Sequence, residues 1–335
     1  MSDLTRSQTM MRGNGFIRSV LTVYISLTAS CFILLLCTGM QWFDALTNAM
    51  STCSTCGFCV RNASIAFYDN AAAELIIVLF MVLSGISFVG LYTAVFKKGL
   101  RQFLHSHILR TYLLILAAGT VIMSVDLTLR GGYPTYMRAL RDALFQMCSI
   151  TTTTGFATAD TTLWPTVSTI VIIGASLICG CAGSTSGGIK VDRIVILWKR
   201  FRINVQSFIH PRWIQAVWLD GQVVKKERIA NAMSFVRIYL SIVFVGAVFN
   251  AVAGLDLMTS ISAAIACTGN VGPGFGLVGS FSNYASFSDP LKYGSMIMML
   301  AGRLEITPLL FLAIDITSNR NFHYFCRRFG KNPRT

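Results

Sequence analysis

Ser54-Thr55-Cys56-Gly57-Phe58, Thr152-Thr153-Thr154-Gly155-Phe156 and Gly269-Asn270-Val271-Gly272-Pro273 are the residues whose types and spacing fit a chemical task. Each group sets polar or small side chains around a glycine inside otherwise strongly apolar sequence. Lipid cannot satisfy free N–H and C=O groups, so irregular backbone at bilayer depth survives only where protein buries it or where it lines a watery cavity. Carbonyl oxygens displayed in such a cavity replace the water shell of a cation. The chemistry predicted is therefore ion coordination by backbone oxygens of Thr55, Cys56, Gly57, Thr153, Thr154, Gly155, Asn270, Val271 and Gly272. Thr55, Thr153 and Thr154 add hydroxyls, whereas Cys56 and Val271 add no comparable oxygen, so the constant feature is the carbonyl. No carboxylate lies inside any of these hairpins, which argues against a divalent ion, since hard divalent cations recruit Asp or Glu.

Hairpins of this kind need helices to hold them. A helix ending near the membrane centre presents the partial negative charge of its C-terminus to a cation, and the chain after it leaves in extended form. The sequence supplies such a unit three times, as an outward helix, a pore helix, a polar hairpin and a returning helix. The first unit uses 19–40, 42–53 and 72–96; the second uses 108–127, 136–149 and 166 onward; the third uses 229–253, 257–266 and 290–317. The expected fold is an all-α polytopic membrane protein of tandem helix–pore helix–helix modules. These modules cover residues 1–98, 99–205 and 229–318, with a cytoplasmic elbow at 206–228 and a cytoplasmic tail at 319–335.

Composition supports the membrane reading. With 54% hydrophobic and 13% charged residues, and a mean hydropathy of +0.61, the chain is too apolar for an ordinary soluble domain. Uncharged stretches cover 19–43, 75–96, 161–189 and 238–255, comparable with the roughly 20 residues that span a bilayer. The stretch at 111–125 is weaker because Asp126 follows it. The net charge of +14 does not point to nucleic acid, because Lys and Arg gather in alternate loops. That asymmetry places both termini, the Lys97 loop and the Lys225 loop in the cytoplasm, and the three hairpins toward the outside.

Other chemistries are disfavoured. Cys53, Cys56 and Cys59 are spaced like the opening of an iron–sulfur motif, but Ala63 and Ser64 stand where a fourth ligand and a proline would follow. Ser184 beside Gly183 would need a nearby base to act as a nucleophile, and His105, His107, His210 and His323 all fall in cytoplasmic segments. No enzyme activity and no cofactor is expected. A secondary carrier would use broken helices at the midplane without repeated carbonyl hairpins.

Two further features belong with the hairpins. Gly183, Ser184, Thr185, Ser186, Gly187 and Gly188, preceded by Gly180-Cys181-Ala182, are set inside the helix returning from the second hairpin. Small residues with hydroxyls let that helix unwind, so the segment is expected to lie across the pore as a gate. Arg303 sits about ten residues into the last apolar span, where a charge costs roughly 2.5–3.5 kcal/mol. It is expected to face the pore as an electrostatic barrier, with pairing to Glu305 as the structural alternative.

With these elements in place, the sequence resembles the Trk/Ktr potassium transporter superfamily, in particular its Trk-type membrane subunit. The resemblance runs almost end to end. Residues 49–65, 149–160 and 266–276 resemble the second, third and fourth filter regions of that family, 179–190 its intramembrane gating loop and 301–305 its Arg-bearing last helix. The resemblance implies potassium uptake through a pseudo-fourfold pore in a bacterial cytoplasmic membrane, a homodimer, and a cytosolic nucleotide-binding regulatory subunit. The chain departs from the pattern in two ways: Cys56 stands where the family commonly has glycine, and three of four modules are present, the first filter quarter being absent. Such a chain alone is expected to conduct poorly, and a non-conducting fragment or assembly subunit is the alternative.

Overall fold

The computed structural model describes residues 14–96, 99–209 and 216–303. Each repeat begins with a long apolar helix: α1 (Asn14–Cys37), α6 (His107–Arg130) and α10 (Lys226–Val252). Each of these packs on the short pore helix that follows it, α2 (Trp42–Cys53), α7 (Tyr136–Thr151) and α11 (Leu257–Gly269). The pore helices start where the sequence places them and end two and three residues later than expected in the second and third repeats, because Thr151 and Gly269 continue the helical turn.

The return elements are α3 (Ala71–Ser84) with α4 (Phe88–Phe96), α8 (Thr166–Ile178) with α9 (Val191–Ile209), and α12 (Asp289–Arg303). Return helix α3 also packs against pore helix α7, and α8 against α11, so the first two return helices buttress the next repeat's pore helix. That offset arranges the repeats around a common centre. A continuous apolar cluster joins the first two repeats through Leu35, Ile77, Met81, Tyr112, Met147 and Phe156. A second cluster around Tyr239, Ile265 and Met298 fills the third repeat.

Among the described residues three helices are long and apolar enough to cross a membrane, Ile17–Cys37, His107–Arg130 and Lys226–Val252. The α3–α4 pair meets the same test as a bent span. Asp126 does not end α6: its carboxylate accepts hydrogen bonds from Ser168 N at 2.9 Å and Ser168 Oγ at 2.7 Å, capping the N-terminus of α8 from a neighbouring helix. Other starts are capped locally. Asn70 Oδ1 accepts from Ala72 N and Ala73 N ahead of α3, and Asp256 Oδ2 accepts from Thr259 N ahead of α11.

One expectation about continuity is corrected. The span at 72–96 is not one helix, because α3 and α4 are bent by 97° at Ser84-Gly85-Ile86-Ser87. Within the segment expected as an elbow, 206–228, α9 runs on to Ile209, α10 starts at Lys226, and Trp218–Leu219 pairs antiparallel with Gln222–Val223. Asp220, at the tip of that hairpin, accepts from His107 N at 2.8 Å and Ser106 Oγ at 3.1 Å, and so caps α6. A short helix, α5 (Leu100–Leu104), precedes α6.

Candidate ion filter and gate

All three pore helices end in the same way. Each closes on a left-handed residue, Thr55 (φ 52°) and Thr153 (φ 57°) just after the caps Ser54 and Thr152, and Asn270 (φ 56°) as the cap itself. The next N–H reaches back five residues to a helix carbonyl: Cys56 to Ser51, Thr154 to Ser149 and Val271 to Ala266, each at 2.9 Å. This is a Schellman closure, normally made with glycine. Two of the three left-handed residues are threonines, whose branched side chains oppose that conformation at a cost of ~1–3 kcal/mol each. A glycine with positive φ then follows after one intervening residue, Gly57 (73°), Gly155 (84°) and Gly272 (100°).

The glycines also set how the hairpins meet. A Cβ on Gly57 would collide with the carbonyl oxygen of Thr154, and one on Gly155 with the carbonyl oxygen of Val271. A Cβ on Gly272 would meet nothing within 4 Å. The hairpins thus abut in sequence order, glycine to carbonyl, and the third glycine faces open space. Outer segments reinforce the contacts. Ala66 N donates to Ala157 O at 3.2 Å, Ala157 N to Ser64 Oγ at 3.1 Å, and Thr161 Oγ1 and Ser280 Oγ are 2.5 Å apart. Behind the first hairpin, Asp44 accepts from Arg61 Nη2 at 3.0 Å and from Tyr68 at 2.8 Å. Burial, together with the Asp44 carboxylate, pushes the Tyr68 phenol up to about 12, so it remains a donor.

Beneath these ends the α8–α9 connection forms a pinched loop. Its ends are tied by Lys190 N to Ile178 O (2.9 Å) and Val191 N to Gly180 O (2.9 Å). Cys179 enters at φ 60°, ψ −162°, a region that is nearly glycine-only. The loop touches the ends of all three pore helices. Thr185 Oγ1 donates to Cys53 O at 3.3 Å, Gly187 N donates to Thr153 Oγ1 at 3.0 Å, and a Cβ on Gly187 would collide with Gly269 O. Within it, Ser184 Oγ and Ser186 Oγ lie 2.6 Å apart, and Gly188 (φ 67°) packs on the Cys179 thiol.

The family model for TrkH, described as a cation transport protein, matches residues 10–324. The chain belongs to the TrkH family. It is 35% identical over 291 residues to the "Trk system potassium uptake protein TrkH" of Halomonas elongata, covering 87% of this chain and 60% of that protein. It is 32% identical over 296 residues to the "Trk system potassium uptake protein TrkG" of Escherichia coli K12, covering 88% and 60%. Its fold is similar to the crystal structure of the potassium transporter TrkH from Vibrio parahaemolyticus, with a TM-score of 0.83 at 28% identity, covering 92% of this chain and 68% of that one. The chain thus spans about three fifths of the length of these curated relatives.

In this TrkH-family chain the nine hairpin residues singled out from sequence come together as one ring segment, and residues 183–188 lie directly under it. Arg303 is at the end of α12 and donates from Nη1 to the Thr185 carbonyl at 2.7 Å, so it is tethered to the loop; Glu305 lies outside the described residues. The Asn270 side chain turns away from the hairpins, donating to Met299 O at 3.1 Å. Among the described residues no group of three or more His, Cys, Asp or Glu side chains that could hold a metal ion occurs.

Sequence reasoning missed two contacts. Tyr284 OH donates to Gly272 O at 2.9 Å, engaging a carbonyl expected to be free for an ion. The Ser84–Ser87 break adjoins the loop, with Cys181 N donating to Gly85 O at 2.9 Å and Phe88 N to Gly183 O at 3.0 Å. Two serines and a glycine in four residues were the available signal for it.

Proposed function

We propose that this chain forms the ion-conducting part of a Trk-type potassium uptake system, passing K+ between the carbonyls of Thr55-Cys56-Gly57, Thr153-Thr154-Gly155 and Asn270-Val271-Gly272. The observation that carries this reading is the threefold closure: a left-handed residue, a back-bonded residue and a positive-φ glycine, with Gly57 and Gly155 each pressed on the next hairpin's carbonyl. Three pore-helix C-termini converging on one point favour a monovalent cation there by their dipoles. Potassium is taken from the names of the relatives. Residues 183–188 act as the gate beneath this filter, and Arg303 holds the gate while placing a guanidinium near the ion path. The modules remain those over 1–98, 99–205 and 229–318. In this reading both termini are cytoplasmic, the chain pairs as a homodimer, and a cytosolic nucleotide-binding subunit acts on the gate.

A second reading, that the chain contributes pore elements to a larger ring rather than conducting alone, is favoured by the open face of Gly272. The test is growth at limiting potassium, with rubidium-tracer uptake, in cells lacking potassium uptake systems. Cells would receive the 335-residue chain with and without the coding region immediately upstream. Uptake by either form, lost on Gly155→Ala, supports the filter; uptake only with the longer form supports the second reading. Normal uptake after Gly155→Ala in both forms rejects the filter assignment.

A further inference from the structure

The break between α3 and α4 shares with the loop the backbone groups that a straight helix would keep for itself. In a continuous helix Phe88 N–H bonds to Ser84 O, four residues back, and Gly85 O accepts from Val89 N–H. Here all three exposed groups are given to the loop. Phe88 N donates to Gly183 O at 3.0 Å, Gly85 O accepts from Cys181 N at 2.9 Å, and Ser84 O at 3.4 Å is, with Cys53 O, one of two acceptors that share the Thr185 hydroxyl. Phe88 N–H has a single hydrogen and serves either Ser84 O or Gly183 O, so the straight and bent forms exclude each other at that group. Straightening α3–α4 satisfies Ser84, Gly85 and Phe88 within the helix and leaves Cys181, Gly183 and Thr185 without them.

The packing behind the break is equally specific. A Cβ on Gly85 would collide with the hydroxyl of buried Tyr112 and lie 3.0 Å from Thr152 Cγ2 at the second filter helix. Only glycine therefore fits position 85 in the bent form. Tyr112 OH itself reaches Val82 O at 3.4 Å, on the last turn of α3. Ser87 Oγ accepts from Gly90 N at 3.4 Å, capping the start of α4.

Resting on the gating reading above, we propose that Ser84-Gly85-Ile86-Ser87 is a positioning hinge for the gate: bent, it holds residues 181–185 under the filter, and straight, it releases them. The two arrangements exchange the same backbone hydrogen bonds, which makes the pair a two-state element rather than a graded one.

The hinge is tested on the full chain in membrane vesicles with a small permeant thiol reagent, labelling being assigned to each cysteine by peptide mass spectrometry. Cys181 is buried in the loop, and Cys148, buried in α7, is the internal reference. Gly85→Ala favours the straight helix by propensity and obstructs the bent one, so the Cys181-to-Cys148 labelling ratio should rise about fivefold. Ser87→Pro obstructs the straight helix and should lower the ratio below wild type. If Gly85→Ala does not fold, the Ser87→Pro decrease carries the test alone. Equal ratios in the folded variants and wild type overturn the hinge. Rubidium uptake is measured in the same vesicles. If labelling responds in the stated directions and no form carries flux, the transport reading fails and the hinge stands; if flux is present and labelling is unchanged, the reverse holds.

Discussion

Arg303 Nη1 donates a 2.7 Å hydrogen bond to the carbonyl oxygen of Thr185, 118 residues earlier in the chain. The bond ties the return helix of the third repeat to the loop that interrupts the return helix of the second. A hydrogen bond from a charged donor contributes about 1.5–3 kcal/mol. Arg303→Ala removes both this tether and a positive charge beside the proposed ion path. Rubidium flux into vesicles is expected to rise about tenfold or more, which is the lower end of that range. A flux equal to or below wild type, at equal protein in the membrane, would show that Arg303 does not restrain the loop.

The glycines of the three hairpins are not equivalent, and their alanine variants should differ accordingly. Gly57→Ala and Gly155→Ala drive a methyl into the carbonyls of Thr154 and Val271, so each hairpin must shift and uptake should be lost. Gly272→Ala meets no atom within 4 Å and suffers only from its φ of 100°. Its cost is on the order of 1–3 kcal/mol of local strain. In a chain measured by itself, Gly272→Ala should retain assembly, read as a monodisperse detergent-extracted peak, while the other two broaden it. Equal behaviour of all three would remove the argument that the ring has one open face.

The sequence made these hairpins legible because the fold's constraint and the residue types coincide there. A polar turn at bilayer depth is permitted only at a protected site, so Thr153-Thr154-Gly155 announces itself against its apolar flanks. The pore-helix boundaries followed from the same contrast, as did the break at residues 180–188. The Ser84–Ser87 break did not, because one glycine and two serines in an apolar run read equally well as a helix-packing face. What bends it is a set of partners near residue 183, a hundred positions away. Asp126 was misleading for a related reason. A carboxylate made the stretch at 111–125 read as a weaker span, and only the fold supplies Ser168 to satisfy it. Side-chain direction was the third gap: spacing places Asn270 in a hairpin, but its amide is bonded to Met299 O.

Tyr284 is expected to influence ion selectivity through Gly272. Its hydroxyl donates to the Gly272 carbonyl at 2.9 Å, competing with any ion for that oxygen. Tyr284→Phe removes the donor and keeps the ring that packs edge-on against Phe287. A neutral hydrogen bond of this kind contributes about 1 kcal/mol, enough for a roughly fivefold effect. Freed for the ion path, the carbonyl should change the ratio of potassium to sodium uptake by about that factor, measured by competition against rubidium. An unchanged ratio would place Gly272 O outside the coordinating set.

Glu74 and Arg141 join the first repeat's return helix to the second repeat's pore helix. The contact is a two-pronged pair, with Nε to Oε2 and Nη2 to Oε1 both at 2.6 Å, and the Glu74 carboxylate is almost fully buried. Removing one partner strands the other charge, which costs about 3–5 kcal/mol in buried pairs, whereas replacing both by apolar side chains is often neutral. Arg141→Met, which strands the buried Glu74 carboxylate, should therefore lower the thermal midpoint of the detergent-solubilised protein strongly, and Arg141→Met combined with Glu74→Met should restore most of it. Because this pair sits on the same α3–α7 contact that seats Gly57 on Thr154, the single variant should also weaken uptake, and the double variant should recover it. If the double variant is as unstable as the single one, the pair sets geometry that apolar packing cannot replace. Recovered stability without recovered uptake would instead place the bidentate bond itself in control of the filter spacing.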